Sequence, residues 1–157
     1  MKRECGGCTA CCKTHGVPEL AKRTGSWCFS CDTGRGCEIY EARPASCQSY
    51  RCNWLNGEGE RNDRPDKAGF VMDYIDLSIL DIRSKCLLVW EVIPGSAEQP
   101  QAIRFADITL SRGGFVCHFL APSGSGIRFV FPQTMDMIKR SLLKIALFVQ
   151  WCVAPSG

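Results

Sequence analysis

The pattern of hydrophobic and polar positions changes character near residue 69. From Gly69 to Asp76 apolar residues alternate with polar ones, which predicts a strand. Cys86-Leu87-Leu88-Val89-Trp90-Glu91-Val92-Ile93 is a near-continuous apolar run stopped by Pro94-Gly95, and is the strongest strand candidate. Between Pro100 and Arg112, residues Ile103, Ala106, Asp107 and Leu110 fall near one face of a helix that Gly113-Gly114 ends. Phe115–Ala121 and Ile127–Phe131 predict two strands around the turn Pro122-Ser123-Gly124-Ser125-Gly126, with Pro132 at the exit. From Met135 to Trp151, Ile138, Leu142, Ile145 and Val149 recur at helical spacing, as expected for a terminal helix packed on a sheet. Residues 69–154 therefore read as a small α+β domain whose strand order the sequence leaves open.

No such period runs through residues 1–55. Gly6, Gly7, Gly16, Pro18, Gly25, Gly34, Gly36 and Pro44 punctuate the segment. Short helices are expected from Pro18 to Arg23, ended by Gly25, and from Pro44 to Leu55. Leu20, Trp27, Phe29, Ile39 and Tyr40 are enough to cover a small site but too few to form a core. Residues 56–68 are polar and turn-rich and read as an exposed connection. The expected fold class is α+β: an irregular, cysteine-rich, metal-bound N-terminal module (1–55) packed with a small mixed α/β domain (69–154).

Cysteine usage is what brings metal into that expectation. Nine of the twelve cysteines lie between Cys5 and Cys52. Cys86, Cys117 and Cys152 sit in apolar stretches and read as small core residues. No segment has the form of a targeting signal, and Leu142–Val153 is too short and too interrupted by Lys144 and Gln150 to span a bilayer. A cytoplasmic setting is expected, where thiols stay reduced and close-spaced cysteines read as metal ligands. Disulfides are the competing reading, opposed by that compartment and by the odd number of cysteines in the cluster. A net charge of +3, with Arg3, Arg35, Arg51, Arg61 and Arg64 interspersed with acids, gives no nucleic-acid stripe.

The first motif is Cys5-Gly6-Gly7-Cys8-Thr9-Ala10-Cys11-Cys12. Cysteines two residues apart can reach one ion as the backbone turns around it, and Gly6 and Gly7 ease that turn. Adjacent Cys11 and Cys12 diverge, so they serve two sides of one site or two neighbouring ions. Cys28, Cys31, Cys37, Cys47 and Cys52 follow. The arrangement resembles a zinc- or iron-chelating family named for its CxxCxxCC motif. Cys5, Cys8, Cys11, Cys12, Cys28, Cys37, the Ile39-Tyr40-Glu41 stretch, Arg43-Pro44, Cys47, Cys52 and Trp54 carry that resemblance, over about one third of the chain. The cysteine region also resembles one in proteins that methylate flagellin lysines. With no nucleotide-binding glycine loop in this chain, methyltransferase activity is not carried over.

The resemblance implies eight metal ligands: Cys5, Cys8, Cys11, Cys12, Cys28, Cys37, Cys47 and Cys52. Zinc is the favoured ion, with room for two tetrahedral sites, and an iron–sulfur cluster is the alternative. Cys31 lies outside the eight-cysteine pattern and is an additional ligand or a free thiol. His15 is a further candidate ligand or a residue beside a turn, and His118 an ordinary sheet residue. Arg43 and Tyr40 are expected to support the ligands from behind, with Arg43 braced on a carboxylate, carbonyl or sulfur. The expected function is a metal-binding protein with a largely structural cluster that presents a surface to a protein partner. The alternatives are an iron–sulfur redox protein, a metal-dependent enzyme, or a metal carrier.

Overall fold

The computed structural model describes residues 3–120 and 126–153, for 151–153 the backbone only. Its helices are α1 (Ala10–Thr14), α2 (Ala45–Ser49), α3 (Pro65–Ala68), α4 (Pro100–Ser111) and α5 (Met137–Val153). Its strands are β1 (Cys31–Asp32), β2 (Gly36–Cys37), β3 (Phe70–Ile79), β4 (Ile82–Glu91), β5 (Phe115–Leu120) and β6 (Gly126–Val130). The helix expected from Pro18 is a single 3-10 turn, Pro18–Leu20, ended by Ala21 in the left-handed region. The helix expected from Pro44 stops at Ser49, with Tyr50 already extended. Ala121, the expected turn from Pro122 to Ser125, and the side chains of Trp151 and Cys152 lie outside the described residues.

β3 to β6 form one sheet in the order β3-β4-β5-β6, and β1 pairs with β2 in a separate hairpin. β4 and β5 are parallel, because α4 carries the chain back to the edge where β4 began. The other pairs are antiparallel. β3 and β4 run further than the alternation indicated, closing through Leu80 at φ 53.

Both faces of the sheet are covered. On one face Val71, Cys86, Leu88, Trp90, Phe115, Cys117 and Phe119 pack with Leu143, Ala146 and Leu147 of α5. On the other, Phe70, Met72, Leu87, Val89 and Val116 pack with Ala102 and Phe105 of α4. Burial on both sides is why 86–93 reads as a continuous apolar run.

The expected fold class is corrected here. Ala10, Cys52 and Trp54 belong to the same buried cluster as the β-strands and α5. Arg3 binds the carbonyls of Trp54, Glu58 and Gly59, at 2.8, 2.6 and 2.7 Å. The cysteine-rich segment is therefore part of one mixed α/β domain and not a separate metal-bound module. Its apolar residues are few because they borrow the sheet's core and need none of their own.

Gly114, between α4 and β5, is a position of close approach. A Cβ there would lie 2.6 Å from the Lys85 carbonyl oxygen and 2.8 Å from Thr109 Cγ2. The first obstacle is backbone and cannot swing away. Gly114→Ala is expected to destabilise the domain by about 2 kcal/mol, read as a lower urea midpoint at unchanged m-value. An unchanged midpoint would mean that β5 can shift away from β4 without penalty.

Candidate functional site

The CxxCxxCC run winds from a turn into α1. The Cys8 amide donates to the Cys5 carbonyl and the Cys12 amide to the Thr9 carbonyl, both at 3.0 Å. Helical spacing then turns Ala10 and Thr14 into the core, while Cys11, Cys12 and His15 border a cavity. The Cys28 amide donates to the Cys12 carbonyl at 2.9 Å, which brings the next segment alongside. The amide of Gly34, at the tip of the β1–β2 hairpin, donates to Thr9 Oγ1 at 3.1 Å. A Cβ on Gly7 would sit 3.0 Å from the Gly34 carbonyl, so glycine lets the hairpin approach. Ser46 of α2 donates through its amide and hydroxyl to the Glu19 carboxylate, at 3.1 and 2.8 Å.

These ties place Cys5, Cys8, Cys11, Cys12, Cys28, Cys37 and Cys47 around one cavity of about 150 Å³. Val17, Leu20, Ile39 and Pro44 make its wall largely apolar. Cys52 is outside that lining; it is buried, and borders a smaller void of about 50 Å³ with Cys5, Cys8, Cys11, Cys47, Trp54 and Val71. Cys31 is outside that lining, opposite Cys37 in the hairpin, and Cys12 and Thr9 are near enough to influence its charge. The eleven described cysteines are all free, and Cys86 and Cys117 are fully buried in the sheet core.

Burial controls the charge state of these thiols. It pushes Cys5, Cys8 and Cys47 up, with the guanidiniums of Arg43 and Arg51 pulling Cys5 the other way. Cys31 and Cys52 are each pushed up to about 11, by burial first. Cys12 is raised by its hydrogen bond with Cys11 and then by burial. Thiols that keep their protons suit an apolar cavity, and reactivity at neutral pH is greatest where a cation opposes burial, as Arg43 and Arg51 do at Cys5.

A polar brace stands behind the cavity. His15 Nε2 lies 3.2 Å from Asp73 Oδ2, and its Nδ1 lies 2.8 Å from Thr14 Oγ1. The Tyr50 hydroxyl donates to both Asp73 oxygens, at 3.0 and 2.9 Å. Burial, reinforced by the Asp73 charge, raises Tyr50 and keeps it a donor. The His15 ring lies 4.3 Å from Tyr50 and 5.3 Å from Trp90, centroid to centroid, so it is a bridge between the cysteine segment and β3. Lys22, only 8% exposed, donates to the carbonyls of Lys13, His15 and Arg23 and brings a cation beside the thiols. Burial lowers it against the pull of Cys28 and Cys12. Arg43 donates to the Tyr40 carbonyl at 2.7 Å and its guanidinium lies 3.6 Å from the Tyr40 ring centroid. Of the groups expected to brace Arg43, it is the carbonyl that does so.

The metal reading does not survive this arrangement. Among the described residues, no group of three or more His, Cys, Asp or Glu is placed to hold a metal ion. Four thiolates around zinc must lie about 2.3 Å from one point, whereas these thiols are distributed over the walls of two spaces, with Cys52 lining the smaller one. The expectations that rested on metal are corrected together. They are the zinc ions and the iron–sulfur alternative, the metal ion as partner, the structural cluster with its protein-interaction surface, the metal-dependent enzyme and the carrier. Membership of the CxxCxxCC chelating family is corrected with them: no protein-family model matches the chain, and no curated protein or solved structure matches it either. Among the described residues no helix is long and apolar enough to cross a membrane.

Asp73, Tyr50 and Lys22 were not foreseen from the sequence. Asp73 alone left a signal, as an acid in the inward phase of β3 between Val71 and Ile75. Tyr50 and Lys22 carry no local pattern that separates them from surface residues.

Proposed function

We propose that the chain is a thiol-based redox protein that exchanges the dithiols of its cysteine-walled cavity with disulfide-bearing molecules. The cavity wall carries this reading: Cys5, Cys8, Cys11, Cys12, Cys28, Cys37 and Cys47, all free, border one space, and Cys31 is near enough to Cys12 for each to influence the other's charge. A disulfide between Cys12 and Cys31 brings their sulfurs to about 2.05 Å. The reaction is balanced by its partner: two protein thiols and one disulfide give one protein disulfide and two small thiols, the protons passing to the leaving thiolates. Residues 1–55 carry the chemistry, 56–68 connect, and 69–154 are the scaffold. The free cysteines fit a reducing compartment, and we place the protein in the cytoplasm.

Oxidation with excess neutral hydroxyethyl disulfide, followed by peptide mapping, tests the reading. The expected product is Cys12–Cys31, formed at the loss of two free thiols and reversed by dithiothreitol. Cys31→Ser is expected to abolish it and leave Cys12 bonded to Cys5, as a mixed disulfide, or as a free thiol. Failure of the wild-type protein to form any disulfide containing Cys31 overturns the proposal.

A further inference from the structure

Beside the thiol cavity runs a second, more open groove of about 580 Å³. Cys5, Cys37, Tyr40 and Arg43 border both. Arg3, Arg35, Arg43 and Arg51 stand on its wall, against the single carboxylate of Glu4. The four cations are not equivalent. Arg3 spends its guanidinium on three carbonyls, and Arg35 leans on Asp32 at 3.4 Å. Arg43 is held flat on Tyr40 with only its Nε hydrogen-bonded among the described residues. Arg51 is anchored through Nε to Asn56 Oδ1 and through Nη2 to the Leu55 carbonyl, each at 3.2 Å. Each anchored guanidinium keeps N–H donors for a ligand, and its orientation is already fixed, which lowers the entropic cost of binding. Both act electrostatically on Cys5, the thiol at the seam of the two spaces.

We propose that this groove binds a carboxylate-bearing disulfide through Arg43 and Arg51 and presents its sulfurs to Cys5. The proposal rests on the thiol-exchange reading above and names its substrate class. Guanidiniums fit carboxylates in a two-point geometry that neutral or cationic disulfides cannot use. Cys5 attacks one sulfur of the bound molecule, and the substrate S–S bond breaks. The departing half leaves as a thiolate that takes up the proton Cys5 gave up. Cys5 then holds the other half as a mixed disulfide. The Cys12 thiol, which borders the same cavity as Cys5, attacks the Cys5 sulfur, releases this half as a second thiol and leaves a Cys5–Cys12 disulfide; Cys31 then attacks the Cys12 sulfur, which forms Cys12–Cys31 and returns Cys5 as a free thiol. The arginines oppose the effect of burial on Cys5 and hold the negative charge that develops at the seam.

The test is the rate of exchange with three probes: oxidised glutathione (anionic), hydroxyethyl disulfide (neutral) and cystamine (cationic). For the full chain the anionic probe is expected to outrun the cationic one by at least ~10-fold at low salt, a ratio that falls several-fold by ~0.5 M salt. In the double variant Arg43→Gln/Arg51→Gln that ratio is expected to collapse towards unity, while Arg43→Lys/Arg51→Lys, which keeps both charges, retains a salt-sensitive preference. Circular dichroism on the same samples identifies a variant that has lost its fold, and the wild-type salt series stands without any variant. Equal rates for all three probes on the wild-type chain would overturn the substrate class and leave thiol exchange standing. No exchange with any probe would overturn the exchange reading itself.

Discussion

Asp73→Ala is expected to destabilise the protein by about 2–4 kcal/mol and to expose the cysteine segment. The two Asp73 oxygens share the single O–H of Tyr50, and Oδ2 faces His15 Nε2. Its side chain is 16% exposed, so water replaces these partners poorly. Removing the carboxylate leaves a half-buried hydroxyl and a half-buried imidazole N–H without their partner, each costing about 1–2 kcal/mol. Because His15 and Tyr50 also line the thiol cavity, the loss should be felt there. Urea unfolding gives the stability, and labelling of free thiols on the folded protein gives the exposure. Asp73→Asn keeps one acceptor for Tyr50 and is expected to lose less. A double-mutant cycle with Tyr50→Phe should show coupling of at least ~1 kcal/mol. Stability within ~0.5 kcal/mol of wild type, with unchanged labelling, would mean that β3 does not brace the cavity.

The same contacts explain which parts of this protein were legible in its sequence. β4 and α4 could be read because each has a dominant signal: a run of apolar residues stopped by Pro94-Gly95, and a helical face ended by Gly113-Gly114. The hairpin end of β3 and β4 was missed because Ser78, Arg83 and Lys85 are exposed and break the apolar pattern, although pairing continues to Ile79 and Ile82. The parallel pairing of β4 with β5 is set by where α4 delivers the chain, which no local period encodes. For the site, spacing gathered the right neighbourhood: seven of the eight predicted cysteines border one cavity. What spacing could not give was the direction of each thiol. Cys52 belongs to the buried cluster with Trp54, and Cys31, outside the family pattern, is near enough to Cys12 to influence its charge. The division into a stapled module and a separate domain failed for a related reason. The hydrophobic partners of Ala10, Cys52 and Trp54 lie far along the chain, in strands and in α5. A segment that looks too poor in apolar residues to fold alone can be stabilised by a sheet as well as by an ion.

His118 on β5 makes the stability of the scaffold depend on pH. Its side chain is 5% exposed on the α4 side of the sheet. Arg128 of β6 donates through Nη2 to His118 Nδ1 at 2.8 Å, which places the ring proton on Nε2. That nitrogen is buried and has no hydrogen-bond partner among the described residues. Burial, and then the Arg128 charge, lower His118 from 6.5 to about 4, against weaker pulls from Glu91 and Glu98. A histidine lowered in the folded state is neutral there while the unfolded chain takes up a proton. Its contribution is therefore complete above pH ~6.5 and is lost as pH falls towards ~4. The shift corresponds to about 3 kcal/mol over that interval. Urea midpoints measured from pH 7.5 to 4.5 should fall more steeply for wild type than for His118→Gln, whose amide oxygen can still accept from Arg128 and does not titrate. The buried thiols cannot imitate this, because they keep their protons in both states across the interval. Parallel pH profiles for the two proteins would show that His118 charges inside the fold, which requires Glu91 and Glu98 to outweigh Arg128.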